Sequence, residues 1–355
     1  MAWTEFAVRV RVPATSANLG PGFDALGLAL TLYDEVEARV IPSGLTLDVS
    51  GEAASEVIDS GEKHLVVRAM RAAFDDLARV GLASGQPPGI ALRCLNRIPH
   101  GRGLGSSAAA IVAGVLAARA LAGADTTADA ALALASELEG HPDNVAPCLY
   151  GDLTVAWLSA VVAGDGAAGD GGAGTAAAAA GGSRVRAIRL ESLPGITPVA
   201  IIAPEPVSTE TARGLLPSQV PHADAARNAG RSALLVAALT ARPDALLDAT
   251  EDWLHQDYRA PAMPATHDLL RRLRAAGIPA VVSGAGPSVL AFLADGGPAA
   301  WHAGSPGRGA PNSRAMASGV VDSTVREAGT GWHVSPLAVE RQGASVASAV
   351  VLSGR

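Results

Sequence analysis

A glycine-rich loop is the segment of this sequence whose residue types and spacing most clearly favour ligand binding. It spans residues 99–107 and reads Pro-His-Gly-Arg-Gly-Leu-Gly-Ser-Ser, and an Ala-rich segment of helical type begins near Ser106. Glycine lets a backbone approach a ligand closely, and the free N–H groups at a helix N-terminus stabilise anionic oxygens. The segment therefore predicts a phosphate-binding loop. The structural alternative is a plain turn that leads into a capped helix.

Two better-known glycine motifs do not fit this loop. A Walker A loop ends in Gly-Lys-Ser/Thr, whereas this loop contains no lysine. A dinucleotide fingerprint counted from Gly101 would need its third glycine at the position of Ser106. The hydroxyl of Ser106 or Ser107 can instead cap the helix or face a phosphate or Mg²⁺.

Two polar clusters offer further chemistry. The first spans residues 15–24, where the amide of Asn18 can hold a hydroxyl and the carboxylate of Asp24 can pair with an ammonium. The second combines carboxylate, imidazole and amide groups in Glu139, His141, Asp143 and Asn144. Such groups can bind Mg²⁺, contact a substrate carboxylate and reach a nucleophilic hydroxyl. Asx turns and a helix C-cap are the structural alternatives for the two clusters.

A third segment, Ser-Gly-Ala-Gly-Pro-Ser over residues 283–288, again permits close backbone approach to a ligand. Taken alone, it is as typical of an ordinary tight turn. Arg213 and Arg259 have no local signal that separates them from surface arginines.

Composition limits the classes of function. The 355 residues carry a formal net charge of −7, which disfavours nucleic acid as a partner because phosphate backbones bind clustered Lys and Arg. The two cysteines, Cys94 and Cys148, indicate neither a disulfide framework nor a zinc site and fit a reducing cytoplasm. No signal peptide is indicated. The most apolar stretch, residues 106–123, contains Arg119 and is predicted to be a buried helix rather than a membrane span.

Hydrophobic periodicity predicts the elements that position these residues. Alternation predicts a strand over residues 6–12 and an antiparallel hairpin from residues 36–40 and 45–49. Helical spacing predicts a helix over residues 66–80. Another strand at residues 90–94 leads into the glycine loop, so that strand, loop and helix follow in that order.

The second half of the chain is predicted to be mainly helical. Residues 163–182 contain eight Gly and nine Ala, which predicts a disordered surface insertion at a domain boundary. The expected division is residues 1–160, the insertion 161–183 and residues 184–355. The elements expected after the insertion are helices at 209–216, 223–240, 244–257 and 266–276, an αβ element at 281–293 and a strand-like run at 346–352.

Four segments in register resemble the homoserine kinases of the GHMP superfamily along nearly the whole chain: VPATSANLGPGFDALGLAL, IPHGRGLGSSAAA, ELEGHPDNVAPCLYGDL and SGAGPSVLAF. The glycine loop alone would indicate only the superfamily, which also includes galactokinases and mevalonate kinases. The resemblance implies a two-lobed α+β fold, with an N-terminal lobe like the second domain of ribosomal protein S5 and a ferredoxin-like C-terminal lobe. It implies a cytoplasmic enzyme that binds ATP and Mg²⁺ and phosphorylates L-homoserine on the route to threonine. By the same analogy the chain could form a homodimer.

The resemblance also assigns roles to residues. Those expected around the triphosphate are Pro99, His100, Gly101, Arg102, Gly103, Leu104, Gly105, Ser106 and Ser107. Those expected to bind Mg²⁺ are Ser107 and Glu139, with Glu137 as a local alternative. Those expected in the homoserine pocket are Asn18, Asp24, His141, Arg213 and Arg259, where the arginines hold the α-carboxylate and Asp24 the ammonium. Those expected to position the reacting groups or support the site are Asn18, Asp143, Asn144, Gly284, Gly286 and Ser288, and no general base is assigned.

Other functions fit the sequence less well. A kinase of the same fold that acts on another alcohol would leave Asp24 and the two arginines without a shared purpose. A non-catalytic nucleotide-binding protein would be favoured by loss of Ser107 or Glu139, and both are present. A hydrolase is disfavoured because no Gly-x-Ser-x-Gly motif surrounds either serine-rich loop.

Overall fold

The computed structural model describes residues 3–160, 183–294 and 313–349. The predicted disordered insertion therefore lies outside the described residues, apart from residue 183. The described part contains two β-sheets, one of seven strands and one of four, together with helices. The predicted α+β class is confirmed.

The strands are, in chain order, β1 (Ala7–Ala17), β2 (Leu26–Val40), β3 (Gly44–Gly51), β4 (Gly89–Asn96), β5 (Leu153–Ala160), β6 (Ser183–Leu190), β7 (Ile196–Ile202), β8 (Ala280–Val282), β9 (Val289–Ala294), β10 (His333–Pro336) and β11 (Ser345–Ala349). In the first sheet the order is β11-β1-β2-β4-β3, and β5 pairs with both β2 and β6. In the second sheet the order is β10-β7-β9-β8.

The α-helices of the described residues are, in chain order, α1 (Ala54–Val57), α2 (Leu65–Arg79), α3 (Ser106–Leu121), α4 (Ala128–Glu139), α5 (Val145–Tyr150), α6 (Thr209–Gly214), α7 (His222–Thr240), α8 (Leu246–Ala249), α9 (Gln256–Arg259), α10 (Pro264–Ala275) and α11 (Ser313–Glu327). None of these helices is both long and apolar enough to cross a bilayer. Short 3₁₀ turns occupy Ile58–Lys63, Pro243–Ala245 and Ala260–Ala262.

Helix α3 is buried along most of its length and carries the glycine loop at its N-terminus. Its small residues let neighbouring elements approach closely. A Cβ on Gly114 would stand 2.6 Å from the carbonyl oxygen of Val66 in α2. This contact, together with the packing of α3 on β1, fixes the direction of the helix and hence the position of its N-terminus. The predicted order of strand, glycine loop and helix is confirmed.

The predicted hairpin between residues 36–40 and 45–49 is wrong. Strand β4 lies between the two strands, with its Leu92 opposite Ala38 of β2 and Leu47 of β3, and the β3–β4 pairing is parallel. Strand β4 is the more deeply buried strand, whereas most residues of β3 are exposed. The apolar strand takes the interior position and the more polar strand takes the edge, which alternation alone does not reveal.

The single helix predicted over residues 244–257 is also wrong. The chain forms two short helices, α8 and α9, and Asp252 marks the break between them. Its side-chain oxygens accept hydrogen bonds from the backbone N–H groups of Leu254, His255 and Gln256. A short acidic side chain that caps the following turn in this way ends one helix and begins the next.

The expected division at residues 160 and 184 does not separate the two sheets. Strand β6 pairs with β5 along its whole length, and β11 pairs with β1, so both extend the first sheet. The strand-like run predicted at residues 346–352 corresponds to β11 as far as residue 349. Two segments from the second half of the chain thus complete the sheet that supports the glycine loop.

Candidate active site

Three glycines shape the loop between β4 and α3. Their φ values are 65° at Gly101, 72° at Gly103 and 70° at Gly105, a region that residues with a side chain adopt only with strain. A Cβ on Gly103 would lie 2.1 Å from the carbonyl oxygen of Ser283. A Cβ on Gly105 would lie 1.9 Å from Oγ1 of Thr15. The loop therefore packs directly against two of the other sequence motifs.

Arg102 anchors this loop to the end of β7. Its Nε donates to the carbonyl oxygen of Ala203 at 2.8 Å, and its Nη2 donates to that of Pro204 at 2.6 Å. The backbone N–H of Val207 donates to the carbonyl oxygen of Gly101 at 3.2 Å. The guanidinium of Arg102 thus donates its hydrogen bonds to backbone carbonyl groups of the protein, and the side chain holds the loop in place.

Ser107 and Glu139 meet at one side of the loop. Ser107 Oγ donates to Glu139 Oε1 at 2.6 Å. Glu139 is the last residue of α4, and Gly140 caps the helix with φ 91°. Burial raises the pKa of Glu139, and the bond from Ser107 opposes that rise. Hydroxyl and carboxylate oxygens fit the ligand preference of Mg²⁺. Glu137, the local alternative, is exposed.

The segment after α4 forms a second hydrogen-bonded group. His141 Nδ1 donates to Asp143 Oδ1 at 2.5 Å, and this bond raises the pKa of His141. Asn144 Oδ1 accepts from Thr15 Oγ1 at 2.8 Å. Asp143 is buried, with 1% of its surface exposed. The imidazole, carboxylate and amide are therefore held in fixed positions beside the glycine loop.

Asn18 forms hydrogen bonds within the loop after β1 and from it to the loop of residues 283–288. The residue has φ 64°, its Nδ2 donates to the carbonyl oxygen of Gly284 at 2.8 Å, and its Oδ1 accepts from the backbone N–H of Asp24 at 2.9 Å. Asp24 in turn forms a two-bond ion pair with Arg213, at 2.6 and 3.2 Å. Asp24, which is predicted to bind the substrate ammonium, thus contacts Arg213, which is predicted to bind the substrate carboxylate.

Arg259 lies at the base of the same region and is fully buried. Its Nη1 donates to His255 Nδ1 at 3.0 Å and to the carbonyl oxygen of Gly284 at 3.3 Å. Within the described residues, Arg259 Nε has no hydrogen-bond partner. Burial, and secondarily the charge of Arg213, lower the pKa of Arg259 to about 10. The guanidinium therefore stays cationic at neutral pH.

The loop of residues 283–288 supports these groups through its backbone. The carbonyl of Gly284 accepts the bonds of both Asn18 and Arg259 described above. Gly286 has φ 91°, and a Cβ there would lie 2.5 Å from Sδ of Met263, so a side chain would strain the backbone and displace Met263. Ser288 is buried, and its Oγ accepts from the backbone N–H of Ala203 at 3.2 Å.

A cavity of about 200 Å³ lies where these segments meet. The predicted site residues that line it are Asn18, Gly101, Gly103, Gly105, Ser106, Ser107, Glu139, His141, Asp143, Asn144, Arg213, Arg259, Gly284 and Gly286. Those that do not line it are Asp24, Pro99, His100, Arg102, Leu104 and Ser288. The structure therefore brings residues of all four motifs, and both arginines, to one cavity.

Several site residues were not predicted from the sequence. Val207, Ser208 and Thr209, which precede or begin α6, line the cavity. Their position a few residues before Arg213 is the only sequence signal for them. His255, which contacts Arg259, stands four positions before it, and that spacing is one helical turn.

Family models match two regions of the chain. Residues 64–152 match the GHMP kinases N terminal domain, and residues 234–300 match the GHMP kinases C terminal model. The first match contains the glycine loop and the Glu139 segment. The second contains Arg259 and the loop of residues 283–288.

Proteins and solved structures similar to the chain agree with these matches. The chain is 53% identical to homoserine kinase of Streptomyces avermitilis over 348 residues, which cover 97% of each sequence. It is 50% identical to that of Clavibacter michiganensis, over 82% of this chain and 84% of the relative. The crystal structure of homoserine kinase from Cytophaga hutchinsonii has a TM-score of 0.72 at 26% identity and covers 98% of this chain and 99% of that one. Phosphomevalonate kinase of Streptococcus pneumoniae, with a TM-score of 0.63 at 15% identity, covers 94% of this chain and 100% of that one and supports the fold alone.

Proposed function

The chain belongs to the homoserine kinase family of the GHMP kinases, and we propose that it transfers the γ-phosphoryl group of ATP to the side-chain hydroxyl of L-homoserine. The product is O-phospho-L-homoserine, on the route to threonine. The observation that best supports this function is the single cavity that collects glycine backbone, candidate metal ligands and ionic side chains of both signs. An anionic nucleotide and a zwitterionic alcohol require these three kinds of partner. The cytoplasmic location and the homodimer stay predictions.

The ATP phosphates are proposed to lie against the glycine loop at the N-terminus of α3. This helix has 16 residues, so its aligned peptide dipoles favour negative charge at that end. The loop contains no lysine, and its one arginine is bonded to carbonyl groups outside the cavity. Backbone N–H groups and the helix dipole are therefore the main anion-binding features of the loop.

A kinase that uses ATP requires a divalent cation, and we propose that Ser107 and Glu139 hold Mg²⁺ here. Their oxygens are 2.6 Å apart, near enough to contact one cation. Burial raises the pKa of Glu139, and a bound cation would favour its charged form. When bound, Mg²⁺ neutralises charge on the transferring phosphate.

Homoserine is proposed to lie between the two arginines and Asp24. Arg259 is buried and cationic and has an unpartnered Nε within the described residues, so an α-carboxylate would supply a partner for it. Before substrate binds, the charges of Arg213 and Asp24 compensate each other in an ion pair. A zwitterion can exchange with that pair, because its carboxylate matches an arginine and its ammonium matches Asp24.

Phosphoryl transfer depends mainly on alignment and charge neutralisation, so the remaining residues are assigned to positioning. Asp143 and Asn144 are proposed to orient the nucleophilic hydroxyl, because both line the cavity and are held by bonds to His141 and Thr15. Asn18 also lines the cavity, and its amide contacts connect two loops of the site. No residue is assigned as a general base.

The proposal is tested by measuring ADP release from Mg·ATP with L-homoserine, mevalonate, galactose, L-serine or no acceptor. Wild-type protein is compared with Arg259→Ala and with Arg271→Ala, which removes an exposed arginine of α10 as a matched control. We expect release that depends on homoserine, a higher KM for homoserine in Arg259→Ala and no change in Arg271→Ala. Release with another alcohol but not with homoserine would leave the family assignment intact and overturn the substrate.

A further inference from the structure

His255 is a buried histidine that contacts the site without lining its cavity. It is fully buried and directly precedes α9, whose last residue is Arg259. Its Nε2 lies 2.8 Å from the carbonyl oxygen of Gly20, and its Nδ1 lies 3.0 Å from Arg259 Nη1. Its ring also packs on Phe23, with 5.2 Å between ring centroids. One side chain thus joins the loop after β1 to the buried arginine.

These two hydrogen bonds define the protonation state of the imidazole. A carbonyl oxygen only accepts, so Nε2 carries a proton towards Gly20. A guanidinium only donates, so Nδ1 must present its lone pair to Arg259. His255 is therefore neutral, in the Nε2–H tautomer. Burial, assisted by the charge of Arg259, lowers its pKa and agrees with this state, although the neighbouring Asp252 acts in the opposite direction.

The position of the guanidinium follows from these contacts. Nη1 of Arg259 is held between Nδ1 of His255 and the carbonyl oxygen of Gly284. That carbonyl also accepts from Asn18, in the loop that contains Gly20. With Nη1 fixed by the protein, the rest of the planar guanidinium has a fixed orientation at the edge of the cavity that it lines.

We propose that His255 is a positioning residue that orients Arg259 towards the α-carboxylate of the substrate. This inference rests on the proposed function and assigns part of its substrate specificity to a residue that does not touch substrate. The neutral imidazole supplies the acceptor that fixes Nη1. Its hydrogen bond to Gly20 fixes the position of the loop around the substrate relative to Arg259.

Substitution can remove one of the two hydrogen bonds of His255 while keeping the other. In His255→Asn, the amide oxygen takes the place of Nδ1, so the acceptor for Arg259 is kept and the bond to Gly20 is lost. In His255→Gln, the amide nitrogen takes the place of Nε2, so the bond to Gly20 is kept and the acceptor is lost. We expect KM for homoserine to rise about ten- to hundredfold in His255→Gln and by less in His255→Asn, with KM for ATP unchanged in both.

An acceptor without a carboxylate distinguishes positioning of Arg259 from a general loss of structure. The ratio of kcat/KM for L-homoserine to that for 3-aminopropan-1-ol measures recognition of the carboxylate. This ratio should fall in His255→Gln and stay closer to wild type in His255→Asn. Equal losses for both acceptors, or a wild-type KM in His255→Gln, would overturn the proposal.

Two controls accompany the series. His267→Asn removes another histidine, which lies in α10 and pairs with the exposed Asp257 of α9, and should leave the ratio unchanged. Thermal unfolding of each variant confirms that the proteins compared are folded. Homoserine-dependent ADP release by wild type tests the proposed function separately, so failure of the function and failure of the role of His255 give different results.

Discussion

Replacement of Gly103 by alanine provides a sensitive test of the glycine loop. The new Cβ would stand 2.1 Å from the carbonyl oxygen of Ser283 and 2.8 Å from that of Gly286. Both atoms belong to backbone, so no side-chain rotation relieves the contact. An ordinary contact begins at 3.4 Å, and the loop must therefore move by more than 1 Å. A displacement of about 1 Å in an active site lowers activity by roughly 10²-fold.

Gly101 and Gly123 are controls that distinguish the steric collision at Gly103 from the strain of a positive φ. Gly101 has a similar φ of 65°, but its Cβ would meet only Pro206 Cβ, at 3.1 Å. Gly123, after the end of α3, has φ 67° and would meet nothing within 4 Å. Alanine with positive φ costs about 1–2 kcal/mol. At roughly 1.4 kcal/mol for each factor of ten, this strain alone corresponds to about a five- to thirtyfold effect.

The assay is steady-state kinetics with varied Mg·ATP at saturating homoserine, with thermal unfolding of each variant. Gly103→Ala should lower kcat/KM for ATP by about 10²-fold or more. Gly101→Ala should lose at most about thirtyfold, and Gly123→Ala should lose stability while keeping its ATP kinetics. Equal ATP kinetics in Gly103→Ala and Gly101→Ala would refute the idea that contact with the loop of residues 283–288 sets the geometry of the glycine loop.

Three further predictions concern charged groups of the site. Glu139→Gln should lower kcat about 10²-fold and raise the Mg²⁺ concentration required for half-maximal rate. Substitution of the exposed Glu137 by Gln is the control, and this variant should match wild type in the same Mg²⁺ titration. Asp24→Asn should raise KM for homoserine about tenfold, because the ammonium loses its partner. It should not weaken inhibition by 4-hydroxybutyrate, because that molecule lacks the ammonium and the substitution frees Arg213 for its carboxylate; equal weakening of both would contradict this role. The bond to Asp143 raises the pKa of His141, so its stabilisation is fully present below the ordinary histidine pKa of about 6.5 and is lost as pH rises through the folded value. The Tm difference between wild type and His141→Asn should therefore shrink with rising pH, and a constant difference would contradict this coupling.

Local chemistry made much of the site predictable from the sequence. Glycine spacing before an apolar helix indicated a ligand-binding loop, the structure places that loop at the cavity, and the φ values of Gly101, Gly103 and Gly105 show why glycine is required there. The placement of the loop between β4 and α3 was also predictable, because alternation and helical spacing change sharply at that point. These features depend on residues that are close in sequence.

Features that depend on distant residues were not predictable in this way. The pairing of Asp24 with Arg213 and the insertion of β4 between β2 and β3 follow from tertiary structure. Alternation identifies the buried face of a strand but not its neighbour, so the hairpin prediction was wrong. Helical spacing does not reveal the break before α9, because the break depends on the side chain of Asp252, which caps the next turn.

The pairing of β11 with β1 has a consequence for how this protein is made. Ala7 lies opposite Ala349, so β1 acquires this neighbour only after all the residues between them have been synthesised. Until then one edge of β1 exposes unpaired backbone groups, a known starting point for intermolecular association. Contacts between such distant residues also slow folding, because a very long loop must close first. Fragments that end before residue 345 should therefore depend on chaperones far more than the full chain does.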